Sequence, residues 1–123
     1  MNTALWIVQG MLAVAFLMAG GMKATQPIEK IRERLPFAQD FAERTVRVIG
    51  ILEVLAAVGL ILPPITKILP ILTPLAGVGL VLTMIGAIIT HVRRGEYSAI
   101  VANVVLLLLA AFVAYGRFVI APF

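Results

Sequence analysis

The sequence predicts an all-α protein, a polytopic membrane four-helix bundle with an amphipathic connection between its first two spans, and three observations predict it. Of 123 residues, 62% are hydrophobic and 13% are charged, against roughly 45 to 50% and about 25% in a soluble domain. Ten of the sixteen charged residues crowd between residues 23 and 47. The remainder of the chain divides into four apolar runs, each near the length of about 20 residues that crosses a hydrocarbon layer of about 30 Å at about 1.5 Å per residue. These runs are apolar all round rather than alternating, so they read as helices and not as barrel strands. Four crossings nearly exhaust the chain, which makes residues 1–123 a single domain.

The first span, residues 3–22, carries no charge. A cleaved signal peptide is its rival reading, but no Lys or Arg precedes the run and the run exceeds the usual h-region. Between residues 25 and 45, Ile28, Ile31 and Leu35 share one face opposite Glu29, Lys30, Arg32, Glu33 and Arg34, the pattern of a helix lying in the headgroup layer. Thr25 is expected to cap a turn opened near Pro27, and Pro36 to end it. Phe37 and Phe41 then precede a helix expected to start near Asp40 and run into the second span, residues 46–62. Pro63 and Pro64, lacking amide donors, are expected to stop that span. The third span, 68–91, carries Pro70 and Pro74 in its first turns, and the fourth, 98–119, contains Asn103.

Basic residues near loop ends set orientation. Lys23, Lys30, Arg32, Arg34, Arg44, Arg47, Arg93 and Arg94 fall on one side and Lys67 and Arg117 on the other. This places the amphipathic connection in the cytoplasm and both termini outside it, and the net charge of +4 suits an anionic bilayer surface. Sparse basic residues at segment ends make no nucleic-acid face. With no cysteine and one histidine, thiolate, iron-sulfur and multi-histidine metal chemistry have no ligands in this chain, and no metal site is expected. No nucleophile-base pair or nucleotide cradle appears either, so no intrinsic catalytic activity is expected.

Glu53 is the informative residue. It lies about 10 Å into its span at about 1.5 Å per residue, too deep for a short carboxylate to reach water, and an acid at that depth needs a partner. Depth arithmetic puts Asn103, Thr83 and Thr90 at similar levels and Lys23 and His91 at the rim, so that all six residues can line one cavity. A second reading makes Glu53, with Asn103 or a threonine, a pin for helix packing, and His91 a rim residue facing headgroups. Small residues allow helices in lipid to approach closely. Gly79, Thr83, Gly86 and Thr90 form such a stripe and are expected to serve as a packing seam, while Gly20, Gly21, Gly50 and Ala57 offer similar openings. Gln9 is expected to make an interhelical hydrogen bond. Trp6, Tyr97 and Tyr115 fall where aromatic belts lie, and the methionines fill gaps.

The order of these features resembles the DoxX-like family of small four-helix integral membrane proteins. The first span closes in MAGGMKAT, the second reads RVIGILEVLAAVGLILP and the third LTPLAGVGLVLTMIGAIITHVRRGE, and the likeness extends over residues 4–115. The resemblance implies membrane redox chemistry linked to quinones in some relatives, assembly of receptor channels in a distant branch, and sterol-like ligands in similar folds. It marks Glu53, Lys23 and His91, none as a catalyst, and the absence of cysteine departs from any thiol relay.

The expected function is therefore the binding of a small apolar or quinone-like molecule in a cavity toward the cytoplasmic half. Glu53 and Asn103 would contact the molecule, Lys23 and His91 would guard the rim, and the chain would serve as membrane subunit of a redox complex. A quinone or other apolar ligand is the only cofactor this implies. Two alternatives stay open: an assembly or chaperone-like factor that docks other helices, and a dimeric proton-coupled transporter, although small exporters carry their acid in the first span. Expected partners are the lipid bilayer, a membrane protein or a second copy, and the expected location is the bacterial inner membrane.

Overall fold

The computed structural model describes residues 1–123. Four long helices dominate: α1 (Asn2–Thr25), α3 (Glu43–Thr66), α4 (Leu72–Arg94) and α5 (Tyr97–Tyr115), the last continued by a π-turn at Gly116–Ile120. Short α2 (Ile28–Arg34) and a 3₁₀ turn at Pro36–Asp40 join α1 to α3. All four long helices are of a length and apolarity that crosses a membrane. Their inward residues Leu12, Phe16, Ala57, Leu60, Leu80, Met84, Ala110 and Val113 form one core, whereas Leu17, Leu55, Leu82 and Leu108 point outward and are exposed. Apolar side chains on both faces are what lipid allows, because helix contact there is gained by packing rather than by escape from water.

Helix α3 does not stop at Pro63 and Pro64 but runs on to Thr66. Two prolines in succession leave the carbonyls four residues earlier, Gly59 and Leu60, without amide donors. Side chains from neighbouring helices supply the missing bonds: Thr73 Oγ1 donates to the Gly59 carbonyl at 2.9 Å and Gln9 Nε2 to the Leu60 carbonyl at 2.6 Å. In hydrocarbon a helix tolerates proline only when its freed carbonyls are satisfied in this way. The helix ends at Lys67, in the left-handed region at φ 60°. Accordingly α4 starts at Leu72 rather than near residue 68, with Pro74 in its first turn and Pro70 outside it.

The connection departs from expectation in three places. Thr25 does not cap the next turn; its hydroxyl donates back to the Gly21 carbonyl at 2.6 Å. The long helix begins at Glu43, not Asp40, because Pro36 opens a separate 3₁₀ turn closed by Arg32, whose Nη2 donates to the Phe41 carbonyl at 3.1 Å. The apolar face of α2 packs within the protein, Ile28 and Ile31 being buried against Ala38 and Val46, with Leu35 and Phe41 beside them. Arg47, from the base of α3, then donates to the carbonyls of Lys23 and Gln26 and closes the end of α1.

Candidate functional site

Glycines build the site. A Cβ placed on Gly20 would lie 2.6 Å from the Gly50 carbonyl oxygen and 2.9 Å from Glu53 Cβ, and one on Gly50 would lie 2.7 Å from Lys23 Cβ. Each glycine of the antiparallel pair α1 and α3 thus makes room for the charged residue of the other helix. The consequence is an ion pair: Lys23 Nζ donates to Glu53 Oε1 at 2.6 Å, with the Glu53 side chain only 2% exposed. The attraction offsets the desolvation of both charges only because the contact is this close. Glu53 Oε2 has no protein partner among the hydrogen bonds of the chain.

Two adjoining clefts share this pair in their walls, together with Phe37, Met84, Ala87 and His91. The larger, about 490 Å³, lies among α1, α4 and α5 and is completed by Asn103; the smaller, about 330 Å³, lies between α3 and α4 and is completed by Thr83 and Thr90. Both volumes suit a small organic molecule. All six sequence-predicted residues therefore reach these clefts, four of them in the larger one, with the two threonines confined to the smaller. The threonine hydroxyls are already committed, donating to the carbonyls of Gly79 and Gly86 on their own helix at 2.8 and 2.9 Å.

The expected seam of Gly79, Thr83, Gly86 and Thr90 is not one within the bundle, since a Cβ on Gly79 or Gly86 would meet nothing within 4 Å. The seam of α4 is Gly77, whose added Cβ would lie 3.1 Å from the Ala110 carbonyl oxygen of α5. Gly21 likewise faces open space. Periodicity identifies a small-residue face; only the crossing of helices decides which face is used.

A polar clasp holds the rim. The 3₁₀ turn sets the Phe37 ring 5.4 Å from the His91 ring and 6.0 Å from Lys23 Nζ. Arg94 Nη1 donates to Asp40 Oδ2 at 2.6 Å, which ties that turn to α4. At the end of α4, Gly95 takes φ 70° and the Glu96 amide returns to the His91 carbonyl, a glycine-closed helix terminus. This brings Glu96 Oε1 to 2.9 Å from His91 Nδ1 and 3.1 Å from Arg94 Nε. The His91 hydrogen bond, then Arg94, holds the Glu96 carboxyl below its ordinary range against the opposing desolvation. Sequence reasoning treated Arg93 and Arg94 alike; only Arg94 turns inward to these acids, and nothing local to the sequence distinguishes them.

At the opposite end of the bundle is a centre the sequence reading missed. Arg117, counted in the sequence only as a basic residue at the outer end of the fourth span, is 3% exposed. Its Nε donates to Gln9 Oε1 at 2.7 Å and its Nη1 to Asn2 Oδ1 at 2.7 Å, while the Phe123 ring lies 3.9 Å from the guanidinium carbon and Trp6 5.6 Å away. Gln9, which also donates to α3, thereby links α1, α3 and the end of α5. Trp6 packs on this group rather than standing free in a belt, while Tyr97 and Tyr115 are exposed near the helix ends. The apolar gap-filling expected of methionine holds for Met84, which is buried in the core, but not for Met11 and Met18, which are exposed on the outer face of α1.

Comparison with curated proteins and with solved structures finds no match. The model of the DoxX-like family matches residues 7–113, a stretch that contains the Gly20 and Gly50 contact, the Lys23–Glu53 pair, His91 and Asn103. On that match over most of its length, the chain belongs to the DoxX-like family, and its four apolar helices make it a membrane protein.

Proposed function

We propose that this protein binds a small apolar or quinone-like molecule in the clefts beside the Lys23–Glu53 pair. One observation carries the reading: an apolar-walled space of about 490 Å³ with a buried carboxylate, an ammonium, an imidazole and an amide gathered on its wall. Costly intramembrane ionisable groups facing a cavity mark function more often than packing. Glu53 Oε2 and Asn103 would contact the occupant, with Lys23, Phe37 and His91 at the entrance and Thr83 and Thr90 beside the smaller cleft. The excess of basic residues on the loops at this end supports an entrance that would face the cytoplasm of a bacterial inner membrane, with both termini outside. Such a chain would serve a redox complex as its membrane subunit, the electron carriers residing on partner chains.

Mass spectrometry of organic extracts from purified protein tests the proposal. A defined apolar molecule should be recovered near stoichiometry from the wild type and depleted in Glu53→Gln, and equal recovery from both would remove Glu53 from the site. The assembly-factor reading is favoured by one observation, the open small-residue face of Gly79 and Gly86 on α4. It requires a stoichiometric helical partner in mild detergent, retained by Glu53→Gln and lost when Gly79 and Gly86 are both replaced by Leu.

A further inference from the structure

Asn103 lies about 9 Å into α5 at about 1.5 Å per residue, and no protein group hydrogen-bonds either end of its amide; its Nδ2 is shielded from solvent and unpartnered. Most other polar side chains in the spans are occupied; Thr3, Thr45 and Ser98, exposed near helix ends, make no side-chain hydrogen bond, and Glu53 is bonded through Oε1 alone. Gln9 bonds α3 and Arg117, Lys23 bonds Glu53, Thr73 bonds Gly59, and Thr66, Thr83 and Thr90 bond their own helix. The remaining orphan, Arg117 Nη2, belongs to a guanidinium that makes three other hydrogen bonds. An amide left wholly without partners in hydrocarbon is unfavourable, and this one lies on the wall of the larger cleft.

Every charged group in the wall of the cleft except Arg34 has a partner of opposite sign. Lys23 answers Glu53, and Arg94 answers Asp40 and Glu96, with His91 on the same carboxylate. Arg34 stands at the mouth, exposed and without an acidic partner. At the depth of Asn103, therefore, no unmatched charge waits for a counter-ion, and an ionic group brought there would lose hydration without return. On the apolar side, the exposed Ala15 of α1 and Ala102 of α5 border the cleft, small side chains that obstruct an alkyl chain less than larger ones would.

Resting on the binding reading above, we infer that the occupant of the larger cleft is an uncharged amphiphile, an alkyl body bearing a carbonyl or hydroxyl group that hydrogen-bonds the Asn103 amide. Entry is lateral, between α1 and α5. The matched Lys23–Glu53 pair excludes ionic heads from the deep end, and Asn103 selects a polar head over a plain hydrocarbon.

Four photoreactive alkyl probes of about twelve carbons, bearing a methyl ketone, a primary alcohol, a carboxylate or no head group, test this on the full chain in nanodiscs at pH 8. Labelling of α1 and α5 peptides is read by mass spectrometry. The ketone and alcohol should label the cleft about tenfold more than the alkane or the carboxylate, the factor expected of one net hydrogen bond. Asn103→Leu and Asn103→Ala should bring ketone labelling down to the alkane level and leave alkane labelling unchanged. Equal labelling by all four probes, or a ketone preference that survives both variants, overturns the inference while leaving a hydrophobic site standing. Preferred labelling by the carboxylate, lost in Arg34→Gln, overturns it in favour of an anionic head held at the mouth. If no probe labels the cleft, the binding reading fails with it.

Discussion

Proline is tolerated at positions 63 and 64 because side chains of other helices accept the task of the missing amides, and this can be tested by a double-mutant cycle on Thr73 and Pro63. Thr73→Val keeps the shape of a fully buried residue and removes the 2.9 Å hydrogen bond to the Gly59 carbonyl. Interhelical hydrogen bonds in membrane proteins contribute about 0.6 kcal/mol on average and up to about 1.7 kcal/mol. A carbonyl with no alternative donor belongs in the upper half of that range, so a loss of about 1 kcal/mol is expected, about fivefold in the unfolding equilibrium. Pro63→Ala restores an amide that can reach the Gly59 carbonyl along the helix. In that background Thr73→Val should cost only a few tenths of a kcal/mol, giving a coupling energy of about 0.7 kcal/mol or more. Reversible unfolding of the four variants in mixed detergent micelles measures it. An equal cost of Thr73→Val in both backgrounds would refute the reasoning and make Thr73 a packing residue only.

Further outcomes follow from the same contacts. Lys23→Met leaves the buried Glu53 carboxyl without its partner and should destabilise the protein by about 3 kcal/mol or more, whereas Lys23→Met with Glu53→Leu should recover most of that loss; equal stability of single and double variants in micelle unfolding would contradict the pair. Gly20→Ala or Gly50→Ala must push α1 from α3 and should cost about 1 to 3 kcal/mol, while Gly79→Ala, with open space around it, should stay within about 1 kcal/mol of wild type. Glu96 is held below its ordinary pKa by His91 and Arg94, so its contribution is present at neutral pH, above its unfolded pKa, and lost as pH falls through the folded pKa. Thermal melts from neutral to acid pH should therefore show a loss in the wild type that is smaller in Glu96→Gln.

Much of this molecule was legible in the chain. Hydrophobic runs matched to bilayer thickness gave four spans, and the isolation of Glu53 in one of them pointed to the buried ion pair at the candidate site, because a lone acid in hydrocarbon is conspicuous without coordinates. The register of Asn103 and His91 followed from rise per residue alone. Less visible were Phe37 and Glu96, which reach the rim through a 3₁₀ turn and a left-handed glycine, and Arg117, whose burial depends on residues more than a hundred positions away.

Composition and spacing determined what each helix offers: its length, its apolar surround, a glycine three residues before Lys23 and another three before Glu53. Those are one-dimensional properties, set by rise per residue and by the cost of exposing polar groups to lipid. Which offers are taken up was decided only in three dimensions. The crossing of α1 and α3 turned Gly20 and Gly50 into a contact and left Gly21 and Gly79 open, and Gln9 and Thr73 turned two helix-breaking prolines into interior residues. A carbonyl freed by proline is satisfied by whatever donor the fold brings beside it, and that donor can stand on another helix where no local pattern reveals it.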